Sequence, residues 1–371
     1  MSRFQDLLLA QVKIIAGGTE EVRLPLKEWE AIFNEAQNVL IRDVERIAPE
    51  ITTSARRVIK RGRLRRDREV KHTRKSHLKK LGSGFRQLEE AVILAEASNR
   101  NTFDAFSVWL KENDENDEIS ASSINAPGTL GGPAVRVLTF LGLHARGCTL
   151  ASEILLLCHN GFIKGAHSRA RSLYELTTTL GFLSLADSPP YVLTERYSLS
   201  ALVEARRDLQ GDREGDPFDR TPGLEETIRN AWGDRFFKPY GWAIPGIGDG
   251  SSKQVTFRDI EEELGSSELR HAYLTMNHSV HAGAASIIAQ FDNRAPFRYR
   301  TGSSVDYYDA SWVMGVTALL LEGLQIPLSM EISPLVGADS ELEMAPIANL
   351  CDSAKEFFDD YIRSNQALDG S

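Results

Sequence analysis

Three side chains able to hold or move a proton recur at one-turn spacing in a segment built otherwise of apolar and small residues. In FIKGAHSRARSLYELTTTLGFLSLA (162–186), His167, Arg171 and Glu175 are each four residues apart. That spacing stacks them along one face of a helix. An ion pair in such a segment is costly unless both partners are satisfied, and Arg before Glu is the weaker order for a helical pair. Partners across a bundle are therefore expected. SSELRHAYLTMNHSVHAGAASIIAQF (266–291) supplies candidates: Tyr273, Asn277 and His281 are again four apart, and His278 lies three before His281. An imidazole beside a carboxylate and a guanidinium can act as a general acid or base. In that reading His281 is the acid/base, Glu175 orients it and Arg171 stabilises negative charge developing on a phosphate, with His278 and Tyr273 beside them. A buried network that only fixes helix register is the alternative. Two histidines and a glutamate could also hold a metal, but a lone HxxH is a weak signal, and neither a metal nor an organic cofactor is expected.

A second candidate is electrostatic. Residues 56–80 read RRVIKRGRLRRDREVKHTRKSHLKK, with 13 Lys/Arg against Asp67 and Glu69, a local net of +11. The whole chain carries −9, so the remainder carries −20 (−9 minus +11). Arg61, Arg63, Arg65, Arg66 and Arg68 are the candidate phosphate contacts. Aromatics are absent from the segment, which disfavours stacking on single-stranded bases. Nucleic acid or another anionic partner is expected there. Pairing with the acidic remainder, or with a second subunit, is the rival reading.

The elements that must position these groups are helical. Trp29, Ile32, Phe33, Ala36, Leu40, Val44 and Ile47 form one apolar stripe on a helix expected to end near Pro49. Leu81, Phe85, Leu88, Val92 and Ala95 mark another, and Thr102 reads as the N-cap of a third at 103–110. Core helices are expected at 134–159, 162–186, 190–210, 266–291 and 309–324, and a last amphipathic one at 340–365. Residues 233–254 combine aromatics, Gly and Pro without a period, which suits a covering or functional loop. KENDENDE (111–118) followed by the Ser/Gly/Pro-rich 119–133 reads as a linker. The expected organisation is an N-terminal helical region (1–118), a linker (119–133), a helical-bundle core (134–330) and a C-terminal helix (331–371).

With 371 residues, 42% hydrophobic and 26% charged, the chain can bury a sizeable core. Trp312–Leu321 is the longest apolar run and is about half of what a membrane span requires. Three cysteines without a CxxC pair fit a reducing compartment and unpaired thiols. A cytoplasmic homo-oligomer without membrane contact is expected. Walker loops, dinucleotide fingerprints, zinc spacings and GxSxG elbows are missing from the sequence.

The run GFIKGAHSRARSLYE, followed about a hundred residues later by Ser279-Val280-His281, resembles a bacterial family of uncharacterised all-helical proteins. That family is marked by a Gly-led helix bearing Arg-Ser-Leu-x-Glu and by a later Ser-x-x-His helix. Arg171, Ser172, Leu173 and Glu175 match the first motif; in the second, the Ser-to-His spacing is one shorter here. The resemblance covers roughly residues 136–290 and implies an all-α fold without an established activity. Small helical RNases of toxin and phage-defence systems place an arginine four to six residues before a histidine. Arg270 precedes His278 by eight, so that motif is not met. The functional expectation is a binding or regulatory protein, in a defence or toxin-like setting, whose basic segment holds an anionic partner. The alternative is a metal-independent hydrolase or nuclease using His281, Glu175 and Arg171.

Overall fold

A computed structural model describes residues 26–113, 131–187, 191–209, 215–247, 254–265, 269–280, 302–336 and 339–369, together with Ala10 and Lys13. The expected linker, His281 and the rest of the expected 266–291 helix beyond Val280 lie wholly or mostly outside these residues. The chain is almost entirely helical, and no strand occurs among the described residues. It divides into two compact units, Met1–Arg68 and Glu69–Ser371.

In the first unit the described structure is the opening part of α1 (Leu26–Asn113), one 88-residue helix. It neither ends near Pro49 nor restarts at Thr102. A proline deletes one backbone donor and crowds one carbonyl, which leaves the other hydrogen bonds of so long an element in place. Arg42 pairs with Glu35 two turns earlier, at 3.3 Å, in the open.

The second unit begins on the same helix. Leu81, Phe85, Leu88, Val92 and Ala95, the stripe seen in the sequence, are all buried. They pack with α2 (Gly132–His159), α3 (Ile163–Ala186), α4 (Val192–Asp208), α5 (Leu224–Trp232), α6 (Phe257–Leu264), α7 (Arg270–Asn277), α8 (Tyr307–Val336) and α9 (Asp339–Asp369) around one core. α8 lies against α9, α3 and α2, and α3 carries α6 and α7 on another side. Residues 233–247 form short 3-10 turns, Asp234–Phe237 and Gly241–Gly246. α2 and the Tyr307–Glu331 part of α8 are long and apolar enough to cross a membrane, which the ten-residue run Trp312–Leu321 did not suggest. In their most apolar windows 50% and 67% of the residues are buried inside the protein.

Specific polar contacts fix how these helices meet. His77 joins three elements: its Nδ1 lies 2.8 Å from the Cys158 carbonyl at the end of α2, and its Nε2 accepts from the Asp306 backbone N–H at the start of α8. His144, wholly buried, sits between Asn99 of α1 (3.1 Å) and Gln325 of α8 (2.7 Å). Cys148, Cys158 and Cys351 are free and buried, and burial pushes the thiols of Cys148 and Cys351 up to about 12 and that of Cys158 higher still. At Gly84, α1 and α9 approach so closely that an added Cβ would lie 2.5 Å from Phe357 and 2.7 Å from Phe358. Both neighbours are stiff rings, so Gly84→Ala should destabilise the protein by about 1–3 kcal/mol. Chemical denaturation measures this, and a neutral outcome would show that the two helices can part without cost.

Candidate functional site

The ladder on α3 meets α7 as an antiparallel seam. At its inner end the His167 Nδ1 lies 3.3 Å from the Ser279 hydroxyl, just past the end of α7. One turn along, Arg171 donates to the Tyr273 hydroxyl at 3.2 Å and pairs with Glu175 at 2.9 Å. Tyr273 in turn donates to the same Glu175 oxygen, Oε1, at 3.0 Å. The weak Arg-before-Glu helical pair is thereby completed by a phenol from across the bundle. Burial, reinforced by the Glu175 carboxylate and opposed by Arg171, holds the Tyr273 phenol above its ordinary value, so it is a donor at neutral pH. Behind it, Tyr174 donates to Glu261 of α6 at 2.7 Å, and Arg270 pairs with the same buried carboxylate.

The two ends of the seam differ. His167 is 3% exposed and tilts against Trp312 at 5.3 Å. Burial first, and then Lys164, pull its pKa down to about 4 against Asp309 and Asp306, so the ring is neutral. Arg171 and Glu175 retain 22% and 37% of their side-chain surface, so that end opens to solvent. Among the described residues three buried side-chain polar atoms of this seam lack a hydrogen-bond partner: His167 Nε2, Arg171 Nε and Asn277 Oδ1. Such groups are uncommon in native folds, and each costs about 1–3 kcal/mol.

Of the sequence-derived candidates, the structure brings Arg171, Glu175 and Tyr273 together. His278 is exposed in the turn after α7, and none of the seam's hydrogen bonds uses it. His281 lies outside the described residues. Groups of His, Cys, Asp and Glu arranged to hold a metal are absent among the described residues.

Sequence reading missed two buried arginines. Arg136, the lone cation in the first half of α2, donates to both oxygens of Glu331 at 2.5 Å and to Asp187 at 2.9 Å. Asp187 also accepts from the Leu193 and Thr194 backbone N–H groups at 2.9 Å each. It thus supplies the open donors at the start of α4. A single charge in an apolar run was the available signal. Arg196 of α4, 4% exposed, forms no ion pair among the described residues. It donates to the Gly241 and Trp242 carbonyls at 2.7 and 3.1 Å and lies over the rings of Trp232 and Phe236. Burial pulls its pKa down to about 10. This guanidinium pins the loop that carries Tyr240, a non-glycine residue held at φ 54°. Gly241 is required next to it, because a Cβ there would meet the Arg235 carbonyl at 2.2 Å. Tyr240 is 38% exposed and faces Phe257 at 6.3 Å; Phe257 faces Tyr273 at 5.6 Å. The aromatic loop therefore reaches the open end of the seam through Tyr240, while Trp242 and Phe236 turn into the core.

The architecture and the seam define an all-helical protein with a polar, partly open interhelical cluster. Residues 138–296 match a family of unknown function (DUF5677). That span bears out the resemblance to an uncharacterised helical family read from Arg171, Ser172, Leu173 and Glu175. Comparison with curated proteins and with solved structures gave no match.

Proposed function

We propose that this is a helical nucleic-acid-binding protein that holds the phosphate backbone of a duplex along residues 56–68 of the first unit. The observation that carries this reading is the density and exposure of cations on a continuous helix. Eight Lys/Arg stand against Asp67 alone, and Arg56, Arg57, Lys60, Arg61, Arg63, Arg65, Arg66 and Arg68 are all exposed. At 100° per residue they surround the axis, with no single stripe. A membrane surface would engage one face and call for bulky apolar residues on it. A helix lying in a major groove has phosphates on both sides, and its diameter of about 10–12 Å suits a groove about 12 Å wide. Seven of the eight cations are arginine, whose fork suits phosphate oxygens.

Fluorescence anisotropy of a labelled duplex across a salt series tests this. Wild-type affinity should fall linearly on a log–log plot against salt. Replacing Arg61, Arg63, Arg65, Arg66 and Arg68 with Gln should reduce that slope by about 4 to 5, at roughly 0.9 per phosphate contact. Absence of binding at low salt, or an unchanged slope in the variant, would sink the proposal.

A further inference from the structure

We propose that the open end of the α3–α7 seam binds a guanine base, free as a nucleotide or carried on a single strand. This goes beyond phosphate contact by the basic helix and concerns residues of the second unit only. Three independent features converge on it.

The first is the order of donors and acceptors. Arg171 and Glu175 lie side by side, a cation that only donates next to a carboxylate that only accepts. Tyr273 and Arg171 both use Glu175 Oε1. Oε2 of the same partly exposed group takes part in none of the seam's hydrogen bonds. Guanine presents the complementary sequence along its Watson–Crick edge: the O6 acceptor, then N1–H, then the N2 amino group. Its two adjacent N–H donors can converge on the free Oε2, and O6 suits the neighbouring guanidinium. Adenine offers an acceptor, N1, where guanine offers N1–H, and would set that lone pair against Glu175.

Aromatic surface is the second feature. Tyr240, Phe257 and Tyr273 form a run of tilted rings beside the ion pair, and Tyr240 is the exposed member. Flat bases stack on such rings whatever their sequence context.

Third is the investment in placing Tyr240. A left-handed backbone is disfavoured for a bulky residue, and strain of this kind gathers at functional positions. Here it is enforced by the buried Arg196, which grips the next two carbonyls. A purely structural turn would be better served by glycine at 240. Holding a half-exposed tyrosine there makes sense if its ring is used.

Calorimetric titration of the full-length protein with GMP and with AMP tests the proposal. It is run at about 0.5 M salt, so that phosphate contacts are screened. Failure here therefore leaves duplex binding at low salt untouched, and the reverse also holds. GMP should bind at least about tenfold more tightly than AMP, in line with two carboxylate hydrogen bonds. Glu175→Gln should erase that preference. Tyr240→Gly should weaken GMP about tenfold or more while keeping or raising Tm, because it removes the ring and relieves the backbone together. Tighter binding of a short guanine-bearing strand than of GMP would assign the strand as the source, and the converse would assign the free nucleotide. Equal affinity for GMP and AMP, no binding of either, or a Tyr240→Gly protein that binds GMP like wild type would overturn it.

Discussion

Arg136→Met is expected to lower the free energy of unfolding by about 3–5 kcal/mol. Arg136 is 4% exposed, and its partners Asp187 and Glu331 come from the ends of two further helices. Methionine fills much of the volume but leaves both carboxylates without their cation. Phe140 and Tyr191 also lose the guanidinium that lies over their rings at 4.9 and 5.5 Å. Adding Glu331→Leu should restore part of the loss and not all of it, since Asp187 still carries its charge while capping α4. Denaturant unfolding of the single and double variants measures both steps. A loss below about 1 kcal/mol for Arg136→Met would show that the triad is open to water in solution.

Acidification should destabilise the protein well before its carboxylates titrate. Burial holds His144 and His167 at about 4, against an ordinary value of 6.5; at His144 the hydrogen bond with Gln325 opposes the shift, and at His167 Lys164 adds to it while Asp309 and Asp306 oppose it. Burial lowers His77 and His159 as well. Below pH 6.5 the unfolded chain takes up protons that the folded chain refuses, so stability falls as the pH falls. It is complete above about pH 6.5 and declines until about pH 4. His144 and His167 each contribute roughly 3 kcal/mol to that decline. Glu225, held down to about 2 first by Arg206, gives up its share only at lower pH. Between pH 6.5 and 4.5 the histidines therefore dominate the slope, with Glu322, whose carboxyl burial holds above its ordinary value, working in the opposite direction. Unfolding free energies at a series of pH values give the slope, and His144→Gln should flatten it by up to about half, since His167, His77 and His159 keep their share. A flat profile across that window would mean that both rings reach water.

Much of the second unit was legible in the sequence because its helices are apolar and end at strong signals. Asn160-Gly161 closes α2, and Asp187 with the prolines after it closes α3, both within a residue or two of the expected places. Boundaries failed where composition mimicked a cap: Thr102 and Pro49 read as breaks, yet α1 passes through both. Local preference is worth only about 1 kcal/mol at a cap and about 3 kcal/mol at a proline, and a long continuous helix overrides it. The seam was found because a four-residue spacing on two helices is readable without coordinates. Tyr273 took the role expected of a partner across the bundle. Arg136, Asp187 and Glu331 could not be found in that way, since their separations of 51 and 195 residues carry no period. Arg196 escaped for another reason: its partners are backbone carbonyls, which every residue offers.

The three buried thiols turn the protein into its own reporter of opening. With their pKa values raised to about 12 or above, essentially none is thiolate at neutral pH while the core is closed. Cys148 sits under the Asn99–His144–Gln325 contact, Cys158 beneath the His77 clasp, and Cys351 on α9. Each therefore becomes reactive only when its own neighbourhood separates. The rate at which a thiol reagent modifies each of them would time three different local openings in a chain without labels, and a single cysteine added at an exposed position would stand out against a silent background.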